Sequence, residues 1–132
     1  MCVLLFLQEN AANEKIEMTV PVLASIVPGQ GPFCEENFTY HFYMPKKFQS
    51  NPPKPTDDRV FLTKLAPLTV AVASYGGFSD EQKVITNGNE LFSSLNQNKV
   101  AVKTDQFYWA GYDSPFRLTD RHNEVMVAIE SK

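Results

Sequence analysis

Two histidines, two cysteines and one arginine beside a phenylalanine are the side chains with which this 132-residue chain could hold a metal or an anion. Either imidazole is competent as a neutral iron ligand. His41 falls in an alternation of Phe38, Tyr40, Phe42 and Met44 against Thr39, His41 and Tyr43, so it occupies the face opposite Phe42. Its economical reading is a solvent-side or cross-strand residue, with iron ligation as the competing one. His122 stands in Arg121-His-Asn-Glu124 directly before Val125, Val127 and Ile129, where a hydrogen-bonded network that staples a loop competes with ligation. Cys2 and Cys34 have neither CxxC nor Cys/His spacing and are too few for a disulfide framework, so they read as free thiols of a reducing compartment. Arg117 follows Phe116 at the tip of a turn region, where its fork can pair a carboxylate or stay solvated. Phe107, Tyr108 and Trp109 offer a stacking platform for a flat ligand or a piece of core, and period-two geometry turns at least one of them away from the others. GxSxG, HExxH, Walker and GxGxxG patterns are absent, and Gly29-Gln30-Gly31 precedes no helix that would make it a phosphate cradle. The chain reads as a binder and not as an enzyme.

The elements that position these residues follow from composition and periodicity. A chain with 43% apolar and 12% aromatic residues is globular, and its length suits one core. Twelve basic against fifteen acidic residues give a formal charge of −3, and no basic run exceeds Lys46-Lys47, so the footprint of a nucleic-acid binder is missing. Residues 1–7 are apolar but too few to span a membrane and lack the flanks of a signal peptide. Asn37-Phe-Thr39 is a glycosylation sequon that matters only in a secreted carrier.

Alternation predicts a long strand over 15–27, in which Pro21 removes a ladder donor and so requires an edge or a bulge. A turn over 28–32 leads to a second strand over 38–44. Residues 45–58, with Pro52 and Pro55 as a stiff connection in preference to an SH3 ligand, read as a surface loop. Short strands are expected over 59–64 and 68–75, the second with small Ala71 and Ala73 that leave room for a packing partner. Ser79 with Gln82 reads as a capping box that opens the one convincing amphipathic helix, about 80–96, and Gly88 in its middle implies close packing on the sheet. The C-terminal unit, 106–130, is strand, turn, strand.

Taken in order, Lys15-Ile-Glu-Met-Thr-Val-Pro-Val22, Phe48-Gln-Ser-Asn-Pro-Pro-Lys-Pro55, Tyr75-Gly-Gly-Phe78, Ala110-Gly-Tyr-Asp-Ser-Pro115 and Arg121-His-Asn-Glu-Val125 resemble the SOUL/haem-binding protein family. The resemblance implies an α+β fold, a distorted β-barrel or antiparallel sheet with one main helix. It also implies a single domain, 1–132, whose first pseudo-repeat is incomplete, because only Leu4-Leu-Phe-Leu7 resembles the end of the family's first helix. The expected function is non-enzymatic: an intracellular, cytoplasmic carrier or buffer that holds haem or another tetrapyrrole non-covalently, by apolar contact and propionate pairing, without a strong axial ligand. Carried onto these positions, Arg117 is the basic residue near the propionates, and Phe116, Tyr112 and Phe6 are apolar contacts. His41 remains the candidate for the iron, and Met126 replaces a tryptophan found in many members. The alternative from a different class is an interaction module that uses an open sheet edge or the 80–96 helix, including self-association through that edge.

Overall fold

The computed structural model describes residues 10–28 and 35–130, which fall into two compact units. The expectations for residues 1–7, including Phe6 and Cys2, and those for Cys34 and most of the 28–32 turn lie outside the described residues. In chain order the elements are β1 (Val22–Pro28), β2 (Glu35–Phe42), α1 (Lys46–Gln49), β3 (Val70–Gly76), α2 (Glu81–Gln97), β4 (Val102–Gly111) and β5 (His122–Ile129). This is the α+β composition with one main helix that the sequence implies.

The first unit contains the described residues up to Thr19 together with Phe42–Ala66. Its core is Ile16, 3% exposed, packed with Met44, Phe48 and Val60. Buried Asn10 organises its start: the side-chain amide donates to the Glu14 carbonyl at 2.7 Å, while its oxygen accepts from the amides of Ala12 and Glu14. Two expectations fail here. Residues 15–19 are not strand, and Met18 and Val20 are 57% and 63% exposed although they share the alternation of Ile16. The ladder starts only at Val22, directly after Pro21, which has no N–H to give and follows a cis bond. Residues 59–64 are not strand either, because Arg59 folds back on Asp57. Its amide, Nε and Nη2 all donate to that carboxylate, at 2.9, 3.0 and 2.7 Å. These bonds, the side-chain one foremost, hold the Asp57 pKa down at about 2. Within the proline-rich 45–58 stretch, Lys46–Gln49 forms one helical turn that its polar composition concealed.

The second unit is a five-stranded sheet in the order β2-β1-β4-β5-β3 with α2 packed on one face. The β1–β4, β4–β5 and β5–β3 pairs are antiparallel. Their register lines Ile26, Phe107, Val127 and Ala71 across four strands, and Ala24, Trp109, Val125 and Ala73 in the next row. Alternation sends Ser25, Tyr108, Met126 and Val72 to the opposite face. Phe107 and Trp109 therefore join the core, and Tyr108 is the aromatic that turns away. The small Ala71 and Ala73 leave the room that α2 fills with Val84, Leu91 and Leu95. Phe92 meets the edge of Phe107 at a 6.4 Å centroid distance and 89°, an arrangement that contributes about 0.5–1.5 kcal/mol beyond area burial.

The ends of α2 are defined by polar accounting. Asp80, and not Ser79, is the N-cap: its carboxylate accepts from the Lys83 amide at 2.8 Å. Ser79 is engaged elsewhere, with its hydroxyl 2.6 Å from that of Tyr75. Burial raises the Tyr75 pKa against the opposing effects of Ser79 and the nearby Trp109 indole, whose buried Nε1 approaches without reaching hydrogen-bond geometry. At the other end Lys99 is left-handed, φ 54°, and the amides of Val100 and Lys99 return to the carbonyls of Leu95 and Asn96 in a Schellman pattern.

Two glycines on this face have opposite steric settings. A Cβ at Gly88 would lie 3.5 Å from Phe107 Cε2, an ordinary contact, whereas one at Gly111 would fall 2.5 Å from Trp109 Cη2. Gly88→Ala is therefore expected to raise unfolding stability by about 1 kcal/mol, through helix propensity. Gly111→Ala must displace the indole and should cost about 1–3 kcal/mol. Urea melts followed by Trp109 fluorescence would show both, and a destabilised Gly88→Ala would mean that the helix sits closer to β4 than described.

Candidate functional site

The β4–β5 connection brings together Arg117, Phe116, Tyr112 and His122 of the residues singled out for chemistry. Gly111 and His122 end the two strands, and the Tyr112 amide donates to the His122 carbonyl at 3.4 Å, extending the ladder by one step. Beyond it, residues 113–120 form a loop whose backbone groups are answered from within. Asp113 Oδ2 accepts from the His122 amide at 2.6 Å, and the Phe116 amide donates to Ser114 Oγ at 3.3 Å. The Arg117 amide donates to the Ser114 carbonyl at 3.0 Å. Asp120 takes a left-handed φ of 51°, a conformation that aspartate tolerates and that turns the chain back toward β5.

Arg117 stands at this tip, with its side chain 54% exposed. Its Nη1 lies 3.2 Å from Asp113 Oδ1, and its Nε donates to the Thr119 carbonyl at 3.0 Å. Asp113 is only 8% exposed at its side chain, so the cation is anchored on a buried carboxylate while Nη2 makes no hydrogen bond among the described residues. On either side, Phe116 and Leu118 are 89% and 76% exposed. The tip is thus an apolar, cationic, apolar triplet on an internally bonded loop. It can take a carboxylate end-on at Nη2 and cover apolar surface beside it.

Tyr112 is not the purely apolar contact expected of it. Its hydroxyl donates to Glu124 Oε2 at 2.6 Å, and its ring tilts against that of His122 at a 4.9 Å centroid distance. His122 Nε2 is 2.9 Å from the other carboxylate oxygen, Glu124 Oε1. Burial pushes the Glu124 pKa up, but the bonds from Tyr112 and His122 outweigh it and leave the group below its ordinary value. His122 therefore belongs to the loop-stapling network that its neighbours suggested. Next to it, Asn123 is 2% exposed and donates to the Gly77 carbonyl at 2.8 Å, which ties β5 to the turn after β3.

His41 is placed apart. Its Nε2 lies 3.1 Å from Ser25 Oγ, and burial lowers its pKa, which favours the neutral imidazole. Ser25 pairs with Tyr108, four residues before Tyr112, so about 13 Å of strand separates that row from the hairpin end. Arg117, Phe116 and Tyr112 share one hairpin end, His41 does not reach it, and Phe6 lies outside the described residues.

Sequence reasoning missed Arg121, which it took as one charge in a cluster. Its Nη1 donates to the carbonyls of Ser114, at 2.7 Å, and of Arg117, at 2.6 Å. Its guanidinium carbon stands 4.3 Å from the centroid of the Phe78 ring. No residue pattern marks it, because Ser114-Pro115 precedes both arginines and only Leu118-Thr-Asp120 separates them.

Among the described residues, no cluster of three or more His, Cys, Asp and Glu is arranged for a metal, and no helix is long and apolar enough to cross a membrane.

The profile of the SOUL heme-binding protein family matches residues 5–128. Heme-binding protein 2 of Mus musculus and of Homo sapiens are each 39% identical over 117 residues, which cover 89% of this chain and 57% of theirs. Heme-binding protein 1 of Sus scrofa is 31% identical over 119 residues, covering 88% of this chain and 62% of its own. The chain thus spans roughly three fifths of the length of these relatives. A family profile that extends from before β1 to the penultimate residue of β5 leaves one conclusion: this chain belongs to the SOUL heme-binding protein family.

Proposed function

We propose that the chain is a non-enzymatic tetrapyrrole-binding protein, an intracellular carrier or buffer of haem, and that it holds the pigment at the β4–β5 hairpin end. The observation that carries this reading is the tip triplet: Phe116 and Leu118 exposed at 89% and 76% around a guanidinium with an uncommitted Nη2. A porphyrin is a flat apolar plate with carboxylates on one edge, and this pattern of side chains matches that edge. Arg117 would pair a propionate, Phe116 and Leu118 would cover the adjoining ring, and the aromatic side of Tyr112 would border them. When bound, haem supplies an iron centre, and the protein's share is binding and orientation. The imidazole of His41 is bonded to Ser25 on another part of the sheet, so it takes no part in this reading.

A second reading rests on β3. Among the described residues it ends the sheet, pairing with β5 alone, and its Val72 is 45% exposed. Such an edge can accept a strand from a partner or a second copy. Light scattering that shows a monomer across a wide concentration range would count against it.

Titration with ferric haem is expected to shift the Soret band. Arg117→Ala should weaken binding about tenfold, the worth of one charge-assisted hydrogen bond, and His41→Ala should leave the shift in place. No shift in the parent protein would end the carrier reading. Phe116→Ser should leave the melting temperature unchanged, because the ring is exposed, yet lower haem affinity by roughly tenfold through lost apolar contact. Equal affinity in this variant would move the pigment away from the tip.

A further inference from the structure

Arg117 and Arg121 are both cationic and stand four residues apart at the same hairpin end, but their bonds differ in kind. Arg117 is held along its Nε and Nη1 edge, and its Nη2 makes no bond among the described residues. Arg121 is turned inward. Its Nη1 bridges the carbonyls of Ser114 and Arg117, and its flat face lies on Phe78. The Nε of the same guanidinium is buried and makes no hydrogen bond, and Phe78 lies against its flat face, so every bond that this side chain makes goes to the loop. The ring beneath it is itself held: Lys83 Nζ donates to the Phe78 carbonyl at 2.7 Å.

Of the two carbonyls that Arg121 captures, one precedes the displayed triplet and the other lies at its centre. Ser114 O also accepts the Arg117 amide, and Arg117 O is the carbonyl of the tip residue itself. Without Arg121 the Arg117 carbonyl has no protein donor among the described residues, and the 114–117 segment is closed only by the Arg117 amide on the Ser114 carbonyl and the Phe116 amide on Ser114 Oγ. A loop freed in this way lets Arg117 leave Asp113 and sample many rotamers, and ordering such a side chain on binding costs about 0.5–1.5 kcal/mol.

We infer that Arg121 is the positioning residue of the tetrapyrrole site. It clamps the 114–117 carbonyls against Phe78, so that Arg117 presents its Nη2 edge to a ligand carboxylate, and it does not itself touch the ligand. The inference rests on the carrier reading above. It assigns the chain's discrimination between acid and ester forms of a tetrapyrrole to a pair of arginines of which only one makes contact.

The test is a double-mutant cycle on the full chain, with ferric protoporphyrin and its dimethyl ester as probes and absorbance titration as the readout. The parent protein should prefer the acid by about tenfold, which is one charge-assisted hydrogen bond, and Arg117→Ala should abolish that preference. Arg121→Met should remove most of it as well. In the Arg117→Ala background, Arg121→Met should change acid affinity by less than about twofold, because a group that works only through its neighbour is not additive with it. Arg121→Lys keeps the charge but loses the planar fork that bridges two carbonyls, and it should behave like Arg121→Met. A merely structural arginine would lower affinity for both probes alike and leave their ratio standing. Should Arg121→Met retain the acid preference, or should its loss add in full to that of Arg117→Ala, the positioning role is wrong while the carrier reading survives. If the parent protein binds neither probe, both fall together.

Discussion

The second unit depends on the seating of β5. This strand is hydrogen-bonded on both sides, to β4 and to β3, and its Val125 and Val127 are fully sealed beneath α2. Side chains on a strand alternate, so sealing these two fixes every other residue of the strand. Asn123 must turn toward the helix side, where it finds the Gly77 carbonyl, and His122 and Glu124 must turn to the opposite face, where they meet Tyr112. A slip of one residue would bury Glu124 and expose both valines, a cost of several kcal/mol for the charge alone. The hairpin end is therefore placed by the core, and the loop needs only to close it.

Closure is a question of where the backbone polar groups go. A loop of eight residues cannot use the sheet ladder, and buried carbonyls without donors are costly. The hairpin solves this with four side chains: Asp113 takes the His122 amide, Ser114 takes the Phe116 amide, Arg117 takes the Thr119 carbonyl, and Arg121 takes two more carbonyls. Because the polar groups are satisfied internally, apolar residues can stand outside. Phe116 and Leu118 are displayed because the loop has no interior left to receive them, and this converts a connection into a surface that gains by being covered.

The sequence made the helix and the C-terminal hairpin legible because two independent signals agreed there. Apolar spacing and an acidic start mark about 80–96, where the helix runs Glu81–Gln97, and strand alternation around the Gly111-Tyr-Asp-Ser-Pro115 break marks 106–130, where the strands run Val102–Gly111 and His122–Ile129. The cap slipped by one residue because Ser79 and Asp80 are both good caps, and only the Tyr75 hydroxyl, brought near by folding, decides between them. The strand over 15–27 was overextended because alternation alone carried it. Pro21 precedes the ladder instead of lying inside it, and Ile16 serves a separate core. The candidate site was half legible. Arg117 and Phe116 could be named from motif position, but Arg121 could not, since two bonds to carbonyls and one to a ring are properties of the folded backbone and leave no mark on residue type.

The electrostatics of the tip constrain what it can recognise. Arg117 shares its charge with buried Asp113, so the pair presents little net field to an approaching ligand. Long-range steering is weak in that case, and the chain's formal charge of −3 adds nothing to attract an anion. Recognition must then come at contact range, from the direction of the Nη2 donors and from the apolar cover on either side. A small anion such as phosphate would find the donors but no use for Phe116 and Leu118, and a neutral hydrocarbon would find the reverse. Only a ligand that carries a carboxylate at the margin of a broad apolar surface uses both. That requirement, set by one buried aspartate and two exposed side chains, is one that the proposed tetrapyrrole meets.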